Sequence, residues 1–159
     1  MSSQKVPMTS GGYDKLQAQL KHYINVERPS VIQAIAEARA HGDLSENAEY
    51  AAAKEKQSFI EGKIQEIQFK LAHAEVIEPS KLNSDKVIFG ATVALHDLDT
   101  GEDFSYKIVG ADEADIKERK ISIQSPIARG LIGKRVGDYA QIKTPAGARE
   151  LEVLDIKFE

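Results

Sequence analysis

The stretch Ala34-Ile35-Ala36-Glu37-Ala38-Arg39-Ala40-His41-Gly42-Asp43-Leu44-Ser45-Glu46-Asn47-Ala48-Glu49-Tyr50 decides the fold. Helix-forming residues dominate on both sides of His41-Gly42-Asp43, and so short a break joins two helices only as an antiparallel hairpin. Gly42 can take the left-handed conformation that closes the first helix. Upstream, Leu16, Leu20, Tyr23, Ile24, Val31, Ile35 and Ala38 recur with helical spacing on one face. They predict a helix from Thr9 or Ser10, both good N-cap residues, to Ala40. Downstream, Ile60, Ile64, Ile67, Leu71 and Ala74 step by 4, 3, 4 and 3, the alternation of a coiled-coil seam. The second helix is therefore expected from about Leu44 to Ala74. Ala34, Ala38, Ala48 and Ala52 read as the part of the seam where the helices approach closely. Arms of roughly 30 residues at ~1.5 Å per residue extend about 45 Å. Pro29 falls inside the first pattern and removes one internal hydrogen bond. Because the apolar face resumes in phase at Val31 and Ile35, the reading is a kinked but continuous helix; two shorter helices are the alternative.

The chain changes character once, near Pro79. Before it, alanine, glutamate, glutamine and lysine prevail; after it come frequent glycines, β-branched pairs and aspartate-rich turns. Two domains follow, 1–78 helical and 79–159 β-rich, with Glu78-Pro79-Ser80-Lys81-Leu82-Asn83-Ser84-Asp85 as a linker or long turn. Val87-Phe89, Ala91-His96, Phe104-Val109, Ile121-Ile123, Tyr139-Thr144 and Leu151-Phe158 read as strands. Thr144-Pro145-Ala146-Gly147 reads as a hairpin turn. Ser125 followed by Pro126 reads as the capped start of a short helix running towards Gly133. The expected class is α+β, a helical hairpin followed by an antiparallel sheet with one short helix.

Composition removes several kinds of function. The net charge of -4 over 159 residues is wrong for a protein that grips nucleic acid by counterion release alone. There is no cysteine, so thiolate metal sites, disulfides and thiol catalysis are excluded. No apolar run reaches the roughly 20 residues of a membrane span, and residues 1–12 lack the apolar core of a secretory signal, so a cytoplasmic protein is expected. His22, His41, His73 and His96 show neither metal-ligand spacing nor a neighbouring nucleophile motif. Gly130-Leu131-Ile132-Gly133-Lys134 lacks the longer loop and the Ser/Thr of a phosphate-binding loop.

The hairpin tip carries the one unusual constellation. Asp43 with Glu46 three residues later is a capping box, in which both side chains satisfy the free N–H groups of the second helix. The helix dipole favours the same negative charge. The second reading is chemical: two hard carboxylate ligands presented at the end of a rod. Magnesium takes such oxygens but needs six, so the pair can only complete a site begun elsewhere.

The tip segment, together with Pro7-Met8-Thr9, Val87-Ile88-Phe89-Gly90-Ala91-Thr92-Val93, Ile108-Val109-Gly110-Ala111-Asp112-Glu113-Ala114-Asp115 and Ile121-Ser122-Ile123-Gln124-Ser125-Pro126-Ile127-Ala128-Arg129-Gly130-Leu131-Ile132-Gly133-Lys134, resembles the bacterial Gre transcript-cleavage factors over essentially the whole chain. The resemblance implies an amino-terminal antiparallel coiled coil and a carboxy-terminal FKBP-like domain that binds RNA polymerase at the rim of its secondary channel. It implies that the rod enters that channel in a backtracked complex. There Asp43 and Glu46 would act as catalytic acids, holding a second magnesium jointly with the polymerase while the polymerase cleaves its own transcript. On this reading the chain is no enzyme by itself and binds no magnesium tightly when free. Arg39 and Lys54, with Lys56 nearby, match the family's basic patch that contacts the nascent RNA 3′ end. Asn47, Glu49 and Tyr50 support the tip. A monomer is expected, since the probe must fit a channel. Three rivals compete: a non-cleaving channel regulator, which an altered tip would favour; a prolyl isomerase, for which the β-rich half offers few aromatic residues and no tryptophan; and a plain interaction module whose tip is only a helix cap.

Overall fold

A computed structural model describes residues 5–42 and 47–159; Asp43, Leu44, Ser45 and Glu46 lie outside the described residues. The contacts divide the chain into two units. One is Tyr13–Ala74, and the other is Glu75–Glu159 joined by the described part of Ser2–Gly12.

The first helix begins where the cap residues place it. Strand β1 (Val6–Thr9) runs into α1 (Ser10–His22), and Thr9 Oγ1 accepts from the Gly12 N–H at 3.2 Å. A π-helical segment, Tyr23–Glu27, leads into α2 (Arg28–Ala40), so the helical backbone is continuous through Pro29. Proline has no N–H to offer the carbonyl four residues back and its ring collides with it. Widening the turn answers both problems, and the Arg28 N–H reaches back five residues to the Tyr23 carbonyl. Beside this defect Arg28 spans to α3 (Ala48–Ala72), donating Nε and one terminal nitrogen to the two Glu61 oxygens, each at 2.8 Å. That bidentate contact lowers the Glu61 carboxyl and raises the Arg28 guanidinium.

The seam forms as its spacing requires. Val31, Ile60 and Ile64 make a buried cluster against Leu20, Tyr23 and Ile24. Ile35, Ala38, Ala53 and Ile67 are buried as well. The alanine reading needs correcting: Ala38 is buried, whereas Ala34, Ala48 and Ala52 are exposed and Ala53 takes the inward position. Ala53 lies one heptad before Ile60, while Ala52 is turned away by about 100°. The second helix also stops short of Ala74. His73 is its C-cap, and Ala74 opens strand β2 (Ala74–Ile77), which pairs with β1 in a two-stranded sheet.

The β-rich unit is a five-stranded sheet of β3 (Thr92–Asp97), β4 (Asp103–Val109), β5 (Lys120–Ser122), β6 (Tyr139–Thr144) and β7 (Gly147–Lys157), in the order β5-β4-β3-β7-β6. Helix α4 (Pro126–Leu131) starts as expected, Ser125 Oγ accepting from the Ala128 N–H at 3.2 Å with Pro126 at the first position. Its Ala128 and Leu131 join the inward residues Val93, Leu95, Ile108, Ile142, Leu151 and Val153 in the core. A Cβ at Gly130 would stand 2.9 Å from Ile142 Cγ1, so the helix needs that glycine to lie against β6.

Two strand expectations change. Val87–Phe89 is not a strand: Val87 exchanges backbone bonds with Gly133 and Lys134, both 2.8 Å, and the chain then turns through Gly90, whose φ is +88°. Nor is the sheet wholly antiparallel, because β5 pairs with β4 in parallel. The β6–β7 hairpin turns over Pro145-Ala146 with Thr144 facing Gly147, as read. No described helix is long and apolar enough to cross a membrane.

Asp97, only 3% exposed at the end of β3, organises the β3–β4 turn. Its carboxylate accepts from the N–H groups of Asp99 and Thr100 at 2.8 and 3.1 Å, and Arg149 donates to it at 3.1 Å. Burial pushes this carboxyl up; the two N–H donors and the guanidinium outweigh it and hold the group below the usual aspartate range. Glu78 is lowered too, chiefly by the Ser10 and Ser80 hydroxyls. Both groups contribute stability that is complete above the ordinary carboxylate range, about pH 4 to 5, and is lost as pH falls through their folded values. Thermal melts should therefore vary little with these groups from pH 7 to about pH 5 and fall steeply below about pH 4. Asp97→Asn should melt lower at pH 7 and show a shallower acid decline.

Candidate functional site

Between the end of α2 and the start of α3 the chain closes the hairpin, and its last described contacts frame the tip. The His41 N–H reaches the Ala38 carbonyl at 3.2 Å and the Gly42 N–H reaches that of Arg39 at 3.3 Å. Gly42 has φ +109°, which a side chain would resist. On the other side Asn47 is extended, and its Oδ1 accepts from the Tyr50 N–H at 3.0 Å. Its Nδ2 donates to the Ala38 carbonyl at 2.8 Å. One amide thus caps α3 and ties it to the last turn of α2.

The described helix begins at Ala48 with Asn47 as its cap; the capping box read at Asp43 and Glu46 lies outside the described residues. The signal for Asn47 was in the sequence, an N-cap residue just before Ala-Glu-Tyr, but Asp43 and Ser45 offer competing frames. What selects Asn47 is its second partner, the Ala38 carbonyl, across the hairpin. Replacing it with alanine removes both contacts. Asn47→Ala should lower the stability of the helical unit by about 1 kcal/mol, rising towards 2 if the Ala38 carbonyl finds no water. Helix-sensitive thermal unfolding checks this, and a change under 0.3 kcal/mol would contradict the bridge.

The remaining tip residues are arranged around this closure. Glu49 is exposed in the first turn of α3, where the helix dipole favours it. Tyr50 is half-buried. Arg39 is exposed in the last turn of α2. Lys54 is exposed in the second turn of α3, its Nζ donating to Gln57 Oε1 at 3.3 Å, and Lys56 is exposed as well. The described frame therefore places both cations within two turns of Gly42 and Asn47, the residues that bracket Asp43 and Glu46 in the chain. Residues 43–46 supply two carboxylates and a hydroxyl and no nitrogen or sulfur side-chain ligand, a donor set that suits a hard, oxygen-loving cation.

Comparison with known proteins agrees over both units. Residues 6–76 match the family model described as transcription elongation factor, N-terminal, and residues 82–158 match transcription elongation factor, GreA/GreB, C-term. A transcription elongation factor GreA of Hyphomonas neptunium is 60% identical over 98% of this chain and 99% of its own length. One from Thermodesulfovibrio yellowstonii is 59% identical over 98% of each. Among solved structures, GreA factor homolog 1 of Thermus thermophilus is 30% identical, covering 96% of this chain and 99% of that chain, with a TM-score of 0.44.

Proposed function

Because the chain belongs to the GreA/GreB family of transcription elongation factors, we propose that it acts on RNA polymerase stalled on a backtracked transcript, stimulating the polymerase to cleave its own RNA and resume. The observation that carries this reading is the family match over both units, joined to a hairpin whose closure brackets two acids. The helical unit is the probe that enters the secondary channel, and the β-rich unit docks at its rim. The chain acts in the cytoplasm as a monomer and supplies ligands rather than a complete active site.

Asp43 and Glu46 would hold a magnesium ion together with polymerase carboxylates. When bound, that ion supplies positive charge for the attacking and leaving oxygens of phosphodiester hydrolysis. Everything else asked of the chain is positioning. Asn47 holds the two helix ends together so that residues 43–46 leave and re-enter a fixed frame. Arg39 and Lys54 attract the phosphates of the extruded 3′ segment, a contact weakened by salt. Glu49 and Tyr50, in the first turn of α3, support the tip. With only two carboxylates, the free protein should bind magnesium no better than about the millimolar range. Titration calorimetry of wild type against Asp43→Asn checks this, and a micromolar site lost in the variant would mean that the chain carries its own metal.

The test of the function is recovery from arrest. Polymerase halted and allowed to backtrack should resume full-length synthesis when the protein and nucleotides are added, and should stay arrested with nucleotides alone. Equal recovery without the protein would refute the proposal.

A further inference from the structure

Helix α1 has no acidic residue in its first turn to meet its own N–H groups and dipole. Two glutamates distant in sequence instead bond the residues that open it, Glu113 its cap Thr9 and Glu78 the Ser10 hydroxyl. The Glu113 carboxylate accepts from the Thr9 N–H at 2.9 Å, from the Thr9 hydroxyl, and from the Gly110 N–H at 2.9 Å. Glu78 accepts from the Ser10 hydroxyl and from the Ser80 hydroxyl at 2.8 Å. Thr9 is 5% exposed, and the neighbouring Met8 is 2% exposed. Two glycines make room for the carboxyl group. A Cβ at Gly12 would fall inside it, and one at Gly110 would stand 2.9 Å from it and 2.6 Å from the Pro7 carbonyl.

We infer that Glu113 is a positioning residue: it holds Thr9, and with it the first turn of α1, in the β-rich unit. The consequence rests on the elongation-factor reading. A fixed first turn leaves less free peptide between strand β1 and the rest of α1. A frayed first turn would interpose a loose peptide, and a loose tether lowers the effective concentration of whatever it carries. The hydrogen bonds described for Glu113 go to Thr9 and Gly110, so its effect on the reaction is exerted through the first turn of α1. Thr9 serves twice, since its hydroxyl donates to Glu113 and accepts from the Gly12 N–H.

The test uses the full chain with three substitutions. Glu113→Gln puts an amide donor where only acceptors fit, Thr9→Val keeps the shape and removes the hydroxyl, and Thr9→Ser restores it. Hydrogen exchange of the free protein at residues 10–14 should accelerate about tenfold or more in Glu113→Gln and Thr9→Val. Thr9→Ser should match wild type, and amides of β3 and β7 should be unchanged throughout. In polymerase cleavage assays the maximal rate at saturating factor should fall about tenfold in the first two variants, with the half-saturating concentration within twofold of wild type. Unchanged exchange in both variants overturns the inference. So does faster exchange with an unaltered maximal rate, which would make the contact merely structural. If wild type itself stimulates no cleavage, the elongation-factor reading falls and exchange alone decides whether Glu113 holds the turn.

Discussion

Asp43→Asn and Glu46→Gln each lower factor-stimulated transcript cleavage by about a hundredfold or more, while folding and polymerase binding persist. Both substitutions keep side-chain size and most hydrogen-bonding capacity and remove only charge. A hundredfold corresponds to ~2.7 kcal/mol of barrier, a reasonable share for a ligand of a metal that meets developing charge. If the two acids served only the dipole of α3, the cost would appear instead in stability, at ~1 kcal/mol or less, with cleavage nearly intact. The two accounts are separated by measuring melting temperature, polymerase affinity and cleavage rate on the same variants. Near-normal cleavage by both variants removes the metal-ligand role.

The second large effect is in the seam. Ile60 is 1% exposed and packs with Val31 and Ile64. Truncation to alanine deletes buried carbon and leaves a cavity between two helices that already depend on a narrow apolar stripe. Ile60→Ala should cost about 3 kcal/mol, Ile60→Val about 1 kcal/mol. Phe59, one position away and 59% exposed, should cost about 0.5 kcal/mol or less as alanine. The Ile60 cluster lies wholly within the helical unit, so the loss should appear in helix-sensitive unfolding. Side-chain signals from the core of the β-rich unit should hold. Equal costs for Ile60→Ala and Phe59→Ala would refute the seam.

The sequence made the seam legible because a repeat of 4 and 3 over four turns has one physical solution. It also placed the cap at Ser125, where a hydroxyl stands directly before Pro126, a residue already fixed in φ, and narrowed the first cap to Thr9 or Ser10, of which Thr9 holds the Gly12 N–H. It did not reveal strands β1 and β2, which at four residues each are too short for a period-2 pattern to register. Val87–Phe89 misled because an apolar triplet looks alike whether it lies in a ladder or, like Val87, makes a single bridge to a distant loop. The parallel pairing of β5 with β4 depends on the intervening turns at Ala111–Glu113 and Ile116–Glu118, and no local signal reports it. At the site, Asp43 and Glu46 were legible as a pair but with two meanings, and family membership bears on that choice more than spacing does. Asn47 was read as tip support, but its capping bridge was not, because its partner, the Ala38 carbonyl, comes from the other helix. Glu113 was hidden for the same reason, its Thr9 donors standing 104 residues away.

The central claim is that the chain completes a polymerase active centre and has none of its own. A backtracked complex carrying RNA labelled at its 5′ end tests it in three arms: polymerase alone, the labelled RNA with this protein alone, and polymerase with this protein. The account predicts slow cleavage in the first arm, none in the second, and rapid cleavage in the third that disappears with Asp43→Asn. Cleavage of free RNA by the protein alone, or no acceleration when it joins polymerase, would contradict it.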